Sequence, residues 1–171
     1  MNGLFLSVRV LHVLVGGTWL GMAVFASFFM TPAIKDAGPE GGKVMAALAK
    51  RGMVAFIPSV AGLAVLSGIY LYWHFTDGFD PAVSRSMSGR VFATGGLFGL
   101  IAAIIGGSVV SRNMKKVLAI MSQVATTTDA AARASLMEQA GQLRQRAGTA
   151  GRIVAVLLII TTALMALGHY V

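Results

Sequence analysis

The chain alternates between long apolar stretches and shorter charged connections. Four stretches contain no Asp, Glu, Lys or Arg, have lengths of 25, 25, 21 and 19 residues, and cover residues 10–34, 52–76, 91–111 and 153–171. At about 1.5 Å of rise per residue, roughly 20 residues of helix cross the hydrocarbon core of a bilayer. A lone strand cannot satisfy its backbone hydrogen bonds in lipid. The pattern therefore predicts an all-α fold, a single domain over residues 1–171 that forms an up-and-down bundle of four membrane helices.

The connections differ in length and character. Residues 37–42 predict a Gly/Pro turn followed by a short helix over 43–50, and residues 77–90 predict a turn-rich loop. The longest connection, 112–152, is rich in helix-forming residues and is interrupted by three threonines and Asp129. We expect Asp129 to cap a new helix, so that this connection forms a helical hairpin extending helices three and four. The hairpin is either a solvated extension or a docking surface for a partner.

Composition supports the membrane assignment and excludes several kinds of chemistry. Hydrophobic residues make up 56% of the chain and charged residues 12%, against about 25% charged residues in a typical soluble domain. The first apolar stretch lacks a basic start and is longer than a signal-peptide core, so we expect it to be retained. Cysteine is absent, which excludes disulfides and thiolate ligands. The six acidic residues all fall in connections, so a hydrolytic enzyme is not expected, and no nucleic-acid module is present.

The basic residues are distributed unequally between the two ends of the predicted bundle. Eleven flank or occupy the first and third connections: Lys35, Lys43, Lys50, Arg51, Arg112, Lys115, Lys116, Arg133, Arg144, Arg146 and Arg152. Three lie at the opposite end: Arg9, Arg85 and Arg90. The positive-inside rule then places the first end in the cytoplasm. We expect a bacterial inner-membrane protein with both termini periplasmic or extracellular, and its net charge of +8 favours contact with anionic membrane lipids.

The candidate chemistry lies in three histidines, His12, His74 and His169. In an up-and-down bundle the start of helix one and the ends of helices two and four lie at the same, outer end. Each histidine is then about one turn from the outer membrane boundary. Ionisable residues inside a membrane suggest function, and this set suggests a haem or metal site. The alternative is that His74 and His169 are interfacial side chains, like the neighbouring Trp73 and Tyr170.

The surroundings of His12 favour a cofactor role. Gly16 and Trp19 follow it by four and seven residues and share its helical face. A glycine one turn from a ligating histidine leaves room for a flat macrocycle, and a tryptophan supplies an aromatic wall. Glycine also lets helices approach closely, and the pairs Gly17/Gly21 and Gly95/Gly99 have the spacing for it. Both uses of glycine are compatible with the sequence.

The other candidate ligands each have a second interpretation. Tyr70 and Ser67 share the face of His74, and Tyr70 is placed to orient its imidazole. Met165 precedes His169 by one turn, where it supplies either a copper or haem ligand or a core side chain. Arg90, at the start of helix three, either pairs with a haem propionate or marks the membrane boundary.

Residues 11–35, LHVLVGGTWLGMAVFASFFMTPAIK, resemble the first helix of a superfamily of small bacterial inner-membrane proteins. That superfamily includes the membrane domain of the copper resistance protein D family, the related DUF2269-type proteins and the four-helix HemJ-type protoporphyrinogen oxidases. Pro58 and the segment LSGIYL at 66–71 resemble its second helix. The resemblance implies haem b with His12 as ligand in the HemJ branch, or copper bound by His and Met in the other. HemJ-type enzymes also use a lysine in a later membrane helix, and none of the later apolar stretches contains one.

Three hypotheses follow. The first is a membrane cytochrome b in which His12 and a second histidine, preferably His74, ligate haem for electron transfer or a haem-dependent redox step. The second is copper binding or transport. The third is a cofactor-free structural or assembly subunit of a larger membrane complex. Whether the protein is an enzyme, which redox partner it meets and whether it forms a homo-oligomer stay open.

Overall fold

The computed structural model describes residues 3–171, except for the side chain of Pro39. All regular elements in this range are helical, and two of the long helices contain a π-helical segment. In chain order the elements are α1 (Gly3–Phe25), a π segment (Ala26–Met30), α2 (Thr31–Asp36), α3 (Gly38–Lys50), α4 (Met53–Phe75), α5 (Pro81–Ser84), α6 (Met87–Ile105), a second π segment (Gly106–Ser111), α7 (Arg112–Thr126) and α8 (Ala130–Leu167).

Four continuous helical rods are long and apolar enough to cross a membrane. They run over Gly3–Asp36, Met53–Phe75, Met87–Thr126 and Ala130–Leu167. This confirms four long apolar helices at the predicted places, with two differences at their ends. The first rod begins well before Arg9, and the fourth ends at Leu167, so that His169 lies in a turn rather than in the helix. Gly168 follows the last helical residue and keeps a right-handed backbone, and a Cβ there would lie 2.5 Å from Phe92 Cε1, so the chain end packs closely on α6.

The four rods form a closed bundle. Helix α1 packs most extensively on α4 and α6 on α8, whereas the α4–α6 and α1–α8 contacts are smaller. All four helices contribute to a core that contains Trp19, Val60, Ala61, Ala64, Ala102, Val154 and Leu158. Most of these side chains are small, which allows the close approach on which membrane helix packing depends.

The surface that faces away from this core is apolar. Leu14 is 63% exposed, Leu66 67% and Ile104 58%. A water-soluble bundle of this size rarely leaves such extensive apolar surface uncovered. The exposed residues are those that lipid chains cover in a multi-pass membrane protein.

Only one of the two predicted glycine pairs packs against another described helix. Gly95 and Gly99 lie against α8, where Cβ atoms on them would come within 3.2 Å and 3.5 Å of its side chains. Close packing at that pair is confirmed. Gly17 and Gly21 face open space, since no described atom of another helix lies within 4 Å of either Cβ position. The packing predicted for that pair does not occur within this chain.

Both π segments lie toward the end of the bundle that carries most of the basic residues, which we call the basic end. Ser27, in the first π segment, is buried, and its Oγ lies 3.0 Å from the position that a Cβ on Gly151 of α8 would take. π-Helical turns insert an extra residue into a helix and redirect the side chains around them. Here they adjust the registers of α1 and α6 where these rods leave the apolar core.

The connections are more helical than the sequence predicted. The turn predicted for 37–42 was wrong for most of its length, because α3 already begins at Gly38 with proline in its first turn, where the missing N–H has no helical partner to lose. The loop over 77–90 contains α5 and the start of α6. The break before Asp129 is confirmed, and the Asp129 carboxylate accepts the N–H of Ala132 at 2.8 Å.

Candidate haem or metal site at the histidine end

The three histidines belong to the end of the bundle opposite the basic end, which we call the histidine end. His12 is on α1, His74 is in the last turn of α4, and His169 follows the end of α8. His12 is half-buried, whereas His74 and His169 are exposed. The three side chains therefore lie at one end as predicted, but in different environments.

His12 is held on α4 by two hydrogen bonds from one ring nitrogen. Its Nδ1 lies 3.0 Å from the carbonyl oxygen of Ala64 and 3.0 Å from the Ser67 Oγ. A carbonyl oxygen only accepts hydrogen bonds, so Nδ1 carries the proton. The Ser67 hydroxyl donates to Leu63 O at 2.6 Å, which leaves its lone pairs for the imidazole. The network fixes one tautomer of His12.

This tautomer leaves a lone pair on Nε2 of His12. No side chain or backbone group within residues 3–171 is hydrogen-bonded to that atom. Metal-ligating histidines have the same pattern, because the other ring N–H is donated to a carbonyl, a carboxylate or water, which fixes the ring and makes the ligand more basic. In its donor atoms, His12 fits an axial haem ligand or a copper ligand.

Gly68 gives the imidazole its place on α4. A Cβ at position 68 would lie 2.9 Å from His12 Cε1 and 3.5 Å from Nδ1. Real Cβ atoms do not approach other carbons so closely, so any larger residue would displace the ring. Ser67 and Gly68 together form the seat of His12 on α4.

The residues predicted to flank His12 on its own helix have distinct roles. Trp19 is 5% exposed and belongs to the common core of the bundle, so it packs between helices. Gly16 lies between His12 and Trp19 along the same face, and no described atom of a neighbouring helix lies within 4 Å of its Cβ position. The Gly16 position is therefore not covered by another described helix, as is also true of Gly17 and Gly21, and the space for a macrocycle there stays a prediction.

His74 lies in a small aromatic group at the rim of the histidine end. Its ring centroid is 4.5 Å from that of Phe5 and 6.3 Å from that of Tyr70. Within the described residues no hydrogen bond joins Tyr70 to His74, so the predicted orienting bond does not form here. Tyr70 contacts His74 only through its ring.

His169 contacts two other helices. Its Nε2 lies 3.4 Å from Arg9 Nη2 on α1, and its ring packs edge-on against Phe92 of α6 at a centroid distance of 5.2 Å. A guanidinium only donates hydrogen bonds, so Nε2 of His169 is the acceptor. His169 therefore links α1 and α6 at the rim.

The histidines lie at different depths. His12 contacts Ser67, which precedes His74 by seven residues, or about 10.5 Å along α4. His169 contacts Arg9, which precedes His12 by three residues, or about 4.5 Å along α1. No group of three or more His, Cys, Asp or Glu side chains in residues 3–171 is arranged to hold a metal ion. The histidines do not form one three-ligand metal site.

Two other predicted site residues lie apart from His12. The Met165 Cε lies 3.2 Å from the Cβ position of Gly95, so Met165 packs between α8 and α6. Arg90 is exposed in the first turns of α6. Within residues 3–171 the ion pair joins Lys43 to Glu40, so no carboxylate in this range pairs with Arg90. Arg90 is thus a cation at the histidine end.

Two cavities, of about 600 Å³ and 290 Å³, occur at the basic end. Neither is lined by any of the three histidines. A macrocycle at His12 would therefore have to use the space beside Gly16, and side chains at the histidine end would have to move to accommodate it.

The sequence missed the partners of His12 on α4, which are Ala64, Ser67 and Gly68. The signal available was the Ser67–Gly68 pair of small residues in an apolar helix, which is typical of a close contact between membrane helices. The sequence placed Ser67 on the face of His74 instead, because helical periodicity does not specify which neighbouring helix a face meets. Comparisons of the chain with protein families, with curated proteins and with solved structures found no match.

Proposed function

We propose that this chain is a membrane haem protein of the cytochrome b type, with His12 as an axial ligand and electron transfer as its role. The observation that supports this most is the fixed tautomer of His12. Its Nδ1 proton is held by Ala64 O at 3.0 Å, and its Nε2 lone pair has no partner within residues 3–171. His12 is half-buried, and Nε2 is not among the enclosed polar atoms of the described residues, so a ligand can reach it.

The space beside Gly16 and the cations at the rim also support haem. Haem b combines an apolar ring with two carboxylates, and it suits a site whose inner part is apolar and whose outer part is basic. Arg9 and Arg90 are the arginines at this end that fit the propionates, because guanidinium binds carboxylate in a bidentate manner. Haem when bound supplies one-electron chemistry, and the protein supplies the ligand, the apolar walls and the cations.

The packing indicates where the bundle opens for haem. Helix α1 packs extensively on α4 through His12 and much less on α8. The α1–α8 side of the histidine end therefore separates at lower cost than the α1–α4 side. The Arg9–His169 contact lies on that side and is released when it opens.

His169 is the better candidate for the second ligand. By the contacts described above it is nearer to His12 in depth than His74 is, which replaces the sequence-based preference for His74. Among residues 3–171 its Nε2 is hydrogen-bonded only to Arg9, at the long distance of 3.4 Å. If Arg9 held a propionate, that nitrogen would be free to serve as a ligand.

The proposal is tested by haem stoichiometry. The protein is expressed with added haem precursor, purified in detergent and assayed for bound haem b. We expect about one haem per chain in the wild type, little in His12→Ala, reduced retention in His169→Ala and near wild-type retention in His74→Ala. Circular dichroism of each variant shows that the helices are intact.

Other outcomes overturn the proposal in distinguishable ways. Colourless protein that retains copper stoichiometrically would show that His12 binds copper and not haem. Colourless, metal-free protein that co-purifies with a larger complex would indicate an assembly subunit. Full haem retention in His12→Ala would assign the cofactor to other ligands.

We further propose that the basic end faces the cytoplasm of a bacterial inner membrane, as the eleven-to-three distribution of basic residues favours. The chain has no cysteine, so single cysteines report sidedness. Ala82→Cys in α5 and Ala134→Cys near the start of α8 are both exposed sites. In intact cells with a permeable outer membrane, an impermeant maleimide should label the first and not the second. The reverse pattern would invert the topology.

A further inference from the structure

The larger cavity, at the basic end, lies between the second π segment and α8. Its volume is about 600 Å³, and it is a groove that is largely open to the surroundings. Its lining includes four polar side chains, Gln142, Gln145, Arg146 and Thr149, and two branched apolar ones, Val109 and Ile153. The polar and apolar groups come from different depths of the bundle.

The cavity crosses the boundary of the apolar core. Val109 and Ile153 belong to charge-free stretches that end at Arg112 and Arg152 respectively. Gln142 and Arg146 lie on the part of α8 beyond Arg152. Arg146 precedes Ile153 by seven residues, or about two helical turns. The cavity thus has an apolar floor at membrane depth and a polar, cationic rim at headgroup depth.

The rim carries a positive charge without a carboxylate partner. Arg146 is exposed, and within residues 3–171 no acidic side chain forms an ion pair with it. The acidic residue closest in sequence to these rim residues is Glu138. It accepts a long 3.5 Å hydrogen bond from Gln142 Nε2 and does not line the cavity. Amide and hydroxyl donors from Gln145 and Thr149 accompany the guanidinium.

We propose that this cavity binds one anionic phospholipid of the adjacent leaflet, with its phosphate at Arg146 and the start of an acyl chain against Val109 and Ile153. A guanidinium beside neutral donors matches a phosphodiester. A branched apolar floor directly below matches the glycerol–acyl junction and would not suit a free anion. The π segment contributes by turning Val109 toward α8, where it forms the floor. This site is independent of haem at the histidine end.

The test is native mass spectrometry of the protein purified in detergent, with phosphatidylglycerol or phosphatidylcholine added. We expect one phosphatidylglycerol per chain to be retained in preference to phosphatidylcholine. Arg146→Gln should weaken that retention roughly five- to tenfold, as expected for loss of one cation at an anionic headgroup. Arg133→Gln removes the same charge from the same helix beyond the cavity, and should change retention less than twofold.

Other results would overturn the proposal. Equal effects of the two arginine variants would mean that net charge, and not the cavity, attracts the lipid. Competition by inorganic phosphate at millimolar concentration would indicate a free-anion site. If Arg146→Gln folds poorly, Ile153→Asn tests the floor instead, and unchanged phosphatidylglycerol retention in that variant would exclude the acyl contact.

Discussion

Replacing Gly68 with alanine tests the seat of His12 on α4. The new Cβ would lie 2.9 Å from His12 Cε1, whereas ordinary contacts between carbons are about 3.5–4.0 Å. The imidazole must therefore move by roughly 0.5–1 Å. That movement stretches the Nδ1 hydrogen bonds to Ala64 O and Ser67 Oγ, both at 3.0 Å. Hydrogen bonds between membrane helices contribute about 0.6 kcal/mol each on average, and overpacking adds about 1–3 kcal/mol.

The matched control is Gly62→Ala on the same helix, where no described atom of another helix lies within 4 Å of the Cβ position. Both variants change backbone entropy equally, so their difference isolates the contact with His12. We expect Gly68→Ala to unfold roughly 3–10 °C below Gly62→Ala in detergent, at about 2–4 °C per kcal/mol for a chain of this size. The assay is circular dichroism during heating.

A double-mutant cycle completes this test. In a His12→Ala background the ring is absent, so Gly68→Ala should no longer be worse than Gly62→Ala. Two results would show that His12 does not occupy this seat. One is that Gly68→Ala unfolds at the same temperature as Gly62→Ala in the wild-type background. The other is that Gly68→Ala is as destabilising, relative to Gly62→Ala, in the His12→Ala background as in the wild type.

Three further predictions concern the same framework. Ser67→Ala should lower the free energy of unfolding by about 0.6–1.7 kcal/mol and loosen the His12 ring, which thermal unfolding and imidazole NMR line widths report; an unchanged ring signal would contradict the network. Asp129→Ala should destabilise α8 by about 1 kcal/mol through loss of its N-cap, with Asp129→Asn close to wild type; equal loss in both would point to charge instead. Fluorescence from Trp73, which is 47% exposed, should be quenched by brominated lipids far more than fluorescence from Trp19, measured in the two Trp→Phe single-tryptophan variants.

The helices were predictable because their signals are local. A long charge-free stretch predicts a long apolar helix, and Asp129 after three threonines predicts a helix start. The structure has four such helices, and α8 begins directly after Asp129. The end of α8 was less clear, since the charge-free stretch continues to Val171 and Gly168 is its only glycine. His169 consequently belongs to a turn, and its relation to Met165 is not that of neighbours on one helical face.

The contacts of the candidate site were less predictable because they depend on how helices rotate against one another. Periodicity placed Gly16 and Trp19 on the face of His12, and this holds in the bundle. It did not show that His12 meets Ser67, because that depends on the relative depth of α1 and α4. The same limit applies to His169, whose contact with Arg9 depends on the whole bundle.

The central claim is that His12 Nε2 is a haem ligand, and the reduced-minus-oxidised absorption spectrum of wild type and His12→Ala tests it most directly. We predict a Soret shift and an α band in the wild type, both lost in His12→Ala while its helices remain folded. A wild-type spectrum without these bands after expression with ample haem, or an unchanged spectrum in His12→Ala, would contradict the claim.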